Sequence, residues 1–194
     1  MAYQPTIVVG DFFEELLMKA FGLVREDKEM RGKMPDLITK DNSFFVEVKA
    51  SSFSNGGVIK EKQLYKFDKE VNIRRFYAFP YHSITRDMQI LYPSKAKLRA
   101  ALDLKSLYLF PFSIVKAHFE NSKKIKHPQP DTYVQLTEMQ ARDIYDGIDY
   151  EWERLKLKTE DYKKCTLYPK VYLMTRAGAL EKEIKDSFHK EFIK

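Results

Sequence analysis

The apolar positions change rhythm along the chain, and each change marks an element. Over residues 10–21, Phe13, Leu16, Leu17 and Ala20 recur at helical spacing, with Asp11 near the start and Gly22 as the stop. A charged stretch, 25–33, follows as a loop or ragged strand. Two short extended runs come next, 36–39 and 44–49, separated by Lys40, Asp41, Asn42 and Ser43. That is hairpin chemistry. Residues 51–57, rich in Ser, Asn and Gly, read as a loop. Residues 59–72 read as a helix carrying Ile59, Leu64, Phe67 and Val71 near one face. Residues 74–81 form an aromatic strand, 89–92 a further strand, and 95–104 a short helix behind Pro93 and Ser94.

The second half is patterned more loosely. Residues 107–115 are an apolar strand candidate interrupted by Pro111, and 121–131 a basic loop. Residues 137–158 make a long helix bearing Tyr145, Tyr150 and Trp152 as core or a dimer face. A strand at 171–175 and a terminal helix at 177–194 close the chain. No internal repeat or low-complexity tract interrupts it. The expectation is one domain over 1–194, with a core at about 7–115 and an α+β extension at about 116–194.

Composition narrows the class. Of 194 residues, 44% are hydrophobic, enough to bury a core. No apolar run approaches the roughly 20 residues of a membrane span, and no basic region leads into an apolar stretch as in a secretory signal. A single cysteine, Cys165, excludes an intrachain disulfide and a cysteine-based zinc site. A reducing compartment, most simply the cytoplasm, is expected. The formal charge of +6 permits a polyanionic partner without demanding one.

The chemistry concentrates on the hairpin. Asp36 begins its first strand and Glu47 lies late in the second, so the turn brings both to one end. Alternation puts Phe45, Glu47 and Lys49 on one face, with Val46 and Val48 packing the other. Two carboxylates beside an ammonium make a plausible site for Mg²⁺ or Mn²⁺, which takes one or two carboxylates plus water and phosphate. Lys49 then orients a water or stabilises charge developing on phosphate. On the preceding helix Glu14 borders the apolar face and is the preferred third carboxylate, with Glu15 as the fallback. After the loop, Gln63 sits among Lys60, Lys62 and Lys66, basic residues suited to phosphate at the start of a helix.

In this order Glu14, Pro35-Asp36, Glu47-Val48-Lys49 and Gln63 resemble the motifs of the PD-(D/E)XK nuclease superfamily. The local texture, over about residues 7–82, is similar to archaeal Holliday-junction resolvases and to RecB-type and Cas4-type nucleases. The resemblance implies a restriction-endonuclease-like α/β fold, an αβββαβ core with a central mixed sheet flanked by helices. It implies metal-dependent hydrolysis of DNA, endonucleolytic and structure-specific or single-strand-specific, in recombination or repair. Carried over, Asp36 and Glu47 are metal ligands joined by the Val48 carbonyl. Glu14 binds the metal directly or through water, Lys49 is the catalytic lysine, and Gln63 is an accessory group. The absence of flanking cysteines excludes an iron–sulfur cluster. A two-fold dimer is expected only by analogy with nucleases that cut paired strands.

Singly, each of these residues has an ordinary explanation. Glu47 and Lys49 read as an exposed charge pair, Glu14 as a solvated glutamate, and the lysines as solubilising. The stripe from Phe76 to Phe79 reads as core. Lys123, Lys124 and Lys126 read as a solvated loop. His82, His118, His127 and His189 show no ligand spacing and receive no role. The competing functional class is a non-catalytic nucleic-acid-binding or assembly module on the same fold.

Overall fold

A computed structural model describes residues 4–25, 35–42, 44–52, 54–67, 74–126, 131–146 and 166–169. Helix α1 (Pro5–Phe21) begins five residues earlier than the periodicity suggests. Pro5 is well suited to a first helical turn, and Val8 and Val9 extend the buried stripe of Phe13, Leu17, Ala20 and Phe21. Gly22, at φ 63°, closes the helix in the left-handed conformation.

Strands β1 (Val24–Arg25), β2 (Leu37–Ile38) and β3 (Phe44–Val48) follow. The expected hairpin forms, with Leu37 opposite Val46 and Ile38 opposite Phe45. Its turn rests on Asn42 at φ 58° and on the Thr39 hydroxyl, which accepts from the Phe44 amide at 3.2 Å. The chain continues through β4 (Ser51–Ser52), β5 (Gly57–Lys60), α2 (Glu61–Phe67) and β6 (Arg74–His82). Next come α3 (Arg86–Gln89), α4 (Lys95–Ala101), β7 (Leu104–Pro111) and α5 (Phe112–Asn121). The described elements end with β8 (Ile125–Lys126), β9 (Thr132–Leu136), α6 (Glu138–Asp146) and β10 (Thr166–Pro169).

The main sheet runs β1-β2-β3-β6-β7-β10, with β4 also paired to β6. It is mixed: β3 and β4 lie parallel to β6, and the remaining pairs are antiparallel. Alternation along each strand divides the core in two. On one face Val46, Val48, Phe76, Ala78, Leu107 and Leu109 pack with α1 and with Leu98 of α4. On the other, Tyr77, Phe79, Tyr81, Tyr108 and Phe110 pack with Leu64 of α2 and with residues of α5 and α6. The result is an α/β protein whose mixed central sheet is flanked by helices. A second, antiparallel sheet, β5-β9-β8, adjoins the α2 side and supplies Ile59, Val134 and Leu136 to the second core. No described helix is long and apolar enough to cross a membrane.

Several elements differ from the sequence expectation. Residues 59 and 60 are strand, because fully buried Ile59 pairs with Val134, so the helix expected from 59 begins at Glu61. Residues 86–89 are a helical turn capped by Thr85, whose hydroxyl accepts from the Met88 amide. Residues 89–92 pair with no strand among the described residues, and Ile90 and Leu91 are exposed. The strand from Leu104 ends at Pro111, and Ile114, Val115 and Phe119 recur at helical spacing to bury α5. The 51–57 loop contains β4, the 121–131 loop contains β8, and β9 and β10 were not foreseen. The long helix is seen only as α6; the strand at 171–175, the helix at 177–194, Tyr150 and Trp152 lie outside the described residues.

Gly57 shows how tightly β5 is set against the main sheet. A Cβ there would lie 2.6 Å from Cδ1 of Phe79 and 3.2 Å from the Lys49 carbonyl. Phe79 is wholly buried and has no room to yield. Gly57→Ala is expected to lower stability by about 1–3 kcal/mol through overpacking, read as an earlier midpoint in chemical denaturation. An unchanged midpoint would show that β5 moves off the sheet freely.

Candidate active site

The site grows out of the hairpin register. Asp36 directly precedes β2, and its Oδ2 accepts from the Val48 amide at 2.8 Å. This bond ties the first carboxylate to the strand that carries the second. Glu47 points away from α1, toward α2, and is 2% exposed. Lys49 follows on the same face. Its ammonium donates to Glu47 Oε1 and, at 2.8 Å, to Gln63 Oε1. The Gln63 amide nitrogen in turn donates to Glu47 Oε1. One turn of α2 thus closes a triangle of carboxylate, ammonium and amide.

Burial dominates the electrostatics of this triangle. It pushes the Glu47 carboxyl up to about 8, the nearby Lys49 charge opposes the rise, and the Asp36 carboxylate adds to it. Glu47 Oε2 is buried and has no hydrogen-bond partner. Tyr77 lies beside Glu47 in the parallel β3–β6 register. Its hydroxyl is also buried without a partner. Burial, and then the Glu47 and Asp36 charges, hold the phenol well above its ordinary range, so it stays a neutral hydroxyl able to donate.

Glu14 approaches from α1. It accepts from Arg25 Nε at 2.6 Å, and the same guanidinium reaches Asp11 Oδ1 at 3.1 Å. Burial and the Asp36 charge raise the Glu14 carboxyl, against the pull of Arg25. Asp36 therefore acts electrostatically on Glu14, Glu47 and Tyr77. Glu15 turns elsewhere, to a bidentate pair with Arg99 of α4, which lowers its carboxyl.

Of the three lysines expected at the start of the helix, Lys62 lies in the first turn of α2 and Lys60 falls just before it. Lys60 ends β5, exposed, and lines the same cleft as Lys49. Lys62 and Lys66 are exposed on the seven-residue α2, and the Lys62 amide is held by Asp131 at 3.3 Å. Val48 lies on the cleft wall, with the next amide, Lys49, bound to the Ala78 carbonyl at 2.8 Å. The cleft has a volume of about 660 Å³ and is walled by Thr6, Val9 and Gly10 of α1 and by the β4–β5 loop.

Among the described residues, no three His, Cys, Asp or Glu side chains stand close enough to form a ready-made metal cluster. Glu14 is engaged by Arg25, which leaves Asp36 and Glu47 as the pair. Their chemistry nevertheless fits a hard dication. Two carboxylates repel one another here, and one of their oxygens is buried without a partner. A divalent cation would relieve both, using these carboxylates plus water. Asp36 and Glu47 would hold it.

Glu14, Asp36, Glu47, Lys49 and Gln63 are thus brought to one region, and Glu15 is not. Two participants escaped the sequence reading. Tyr77 looked like core, because only the β3–β6 register sets it beside Glu47. Arg25 sits in a charged stretch whose partners lie 11 and 14 residues back. No family model matches the chain, and no curated protein is similar enough to count as a relative.

Proposed function

We propose that the protein is a metal-dependent nuclease of the PD-(D/E)XK type, built on a restriction-endonuclease-like core and acting on DNA. The observation that carries the reading is the meeting of Asp36, Glu47, Lys49 and Gln63 at the open end of one hairpin, beside a cleft. An ordinary surface charge pair would be exposed, whereas Glu47 is 2% exposed. Burying a carboxylate costs several kcal/mol and is hard to explain without a use for it.

In this reading Asp36 and Glu47 hold Mg²⁺ or Mn²⁺. Bound there, the ion stabilises negative charge on the phosphoryl oxygens and makes water more acidic. Lys49, fixed by Gln63 and Glu47, directs its ammonium at the attacking water or at the phosphate. The water oxygen bonds to phosphorus as the bond to the leaving sugar oxygen breaks. Tyr77 stands ready to donate from its unpartnered hydroxyl. Arg25 restrains Glu14, which is free to join the acidic group only once that ion pair opens. Lys49 and Lys60 give the cleft the positive lining a phosphodiester requires.

The test is cleavage of labelled single-stranded, duplex, flapped and four-way DNA with and without Mg²⁺ or Mn²⁺. Cutting that needs the metal and favours one DNA shape is the expected result. Binding to DNA without cutting on any substrate would transfer the fold to a non-catalytic nucleic-acid-binding role.

A further inference from the structure

We propose that the cleft beside Lys49 is a base-binding pocket, in which His82 and Gln89 accept hydrogen bonds from the amine-bearing edge of one unpaired nucleobase. The inference takes its ligand class from the nuclease reading and adds a subsite that reading does not contain. The cleft reaches from Lys49 and Lys60 to His82, at the end of β6, and Gln89, at the end of α3. Its volume of about 660 Å³ lies in the range of pockets that enclose small ligands. It suits a single nucleotide and is far too small for a duplex.

Two polar side chains that line it are the reason to expect a ligand. His82 is 1% exposed and Gln89 6%. Nδ1 of His82 and Oε1 of Gln89 are both buried without a hydrogen-bond partner. Buried polar atoms in native proteins are nearly always satisfied. Two orphans lining one cleft therefore point to a group that completes them after a small side-chain rotation.

Their chemistry selects the group. Burial pushes the His82 imidazole down to about 4, so it is neutral at physiological pH. Nδ1 is the buried ring nitrogen left without a partner, and it is assigned as the bare, accepting one. The ring stacks on Phe13, with centroids 5.5 Å apart. Both orphans are then acceptors, and they call for a ligand edge with N–H donors. Adenine, cytosine and guanine each carry an exocyclic amine. Thymine offers one ring N–H between two carbonyls, which repel the protein's acceptors.

Binding tests the pocket apart from cleavage. Short single-stranded thymine oligonucleotides, plain or carrying one cytosine or adenine, are titrated in EDTA and followed by fluorescence anisotropy. The amine-bearing oligonucleotides should bind about 10-fold more tightly, the scale of one or two net hydrogen bonds. Gln89→Met, which keeps length and volume, should erase that preference. His82→Phe, which keeps a ring against Phe13, should do the same. Equal affinities in the wild type, a preference that survives Gln89→Met, or no binding of any oligonucleotide would each overturn the pocket. The first of these needs no variant to fold. Base-dependent binding with no metal-dependent cleavage would keep the pocket and remove the nuclease reading. Metal-dependent cleavage without base preference would do the reverse.

Discussion

Lys49→Ala is expected to reduce metal-dependent cleavage by ~10²–10³-fold on every DNA shape that the wild type cuts, the scale for losing one group that stabilises transition-state charge. Two further consequences act in the same direction. Gln63 Oε1 loses its donor, so the amide that also holds Glu47 is released. Glu47 loses the nearby cation that opposes its raised proton affinity, and the more protonated carboxyl binds a cation less readily. The fold should survive. Removing one member of a buried ion pair commonly costs about 3–5 kcal/mol because a bare charge remains. Glu47, already pushed up to about 8, avoids that penalty by taking a proton. Circular dichroism and melting curves should therefore be close to wild type. Glu15→Gln is the control, because Glu15 is held by Arg99 away from the site, and it should cut normally. Undiminished cleavage in both Lys49→Ala and Asp36→Ala would sink the assignment of the site.

A second large effect should appear without any substrate. In the metal-free protein the Glu47 proton is held up to about 8, whereas the unfolded chain releases it near the ordinary 4.5. Between those values the folded state binds more protons, so stability falls as pH rises through the window. Glu47→Gln should flatten that slope and melt higher than the wild type at the alkaline end. Adding Mg²⁺ or Mn²⁺ should reverse the order. The wild type gains about 2.7 kcal/mol when the ion is at 100 times its Kd, and the gain should grow with pH as the carboxyl ionises. Glu47→Gln and Asp36→Asn should gain little. Melting curves across pH, with and without the ion, measure all of this. Equal stabilisation of the wild type and both variants by the ion would show that it binds elsewhere.

The hairpin and its chemistry were legible because they are local. Turn residues from Lys40 onward join two short runs, and alternation alone separates Val46 and Val48 from Glu47 and Lys49. The face of α1 was legible for the same reason: Phe13, Leu17 and Ala20 are buried where a period of 3.6 puts them. Elements whose stability comes from distant partners were misjudged. Ile59 fits a helical face as well as a strand, and only Val134, far along the chain, decides for the strand. Residues 89–92 are largely apolar and so resemble a strand, yet among the described residues no strand pairs with them. Residues 112–119 needed Pro111 to be weighted as a terminator and not as an interruption.

The sequence by itself determined which groups meet: carboxylates, a lysine and a glutamine in order, on elements that bring their ends together. Those are properties of residue type and short-range periodicity, which a chain carries without folding. Tertiary structure alone decided how these groups behave. The β3–β6 register sets the Tyr77 hydroxyl beside Glu47, packing leaves Glu47 2% exposed, and Arg25 singles out Glu14 over Glu15. Packing also gathers His82 and Gln89 at one cleft, though nothing in their spacing relates them. Burial and long-range register depend on what the rest of the chain stacks around a residue, and the raised proton affinity of Glu47 follows from that burial.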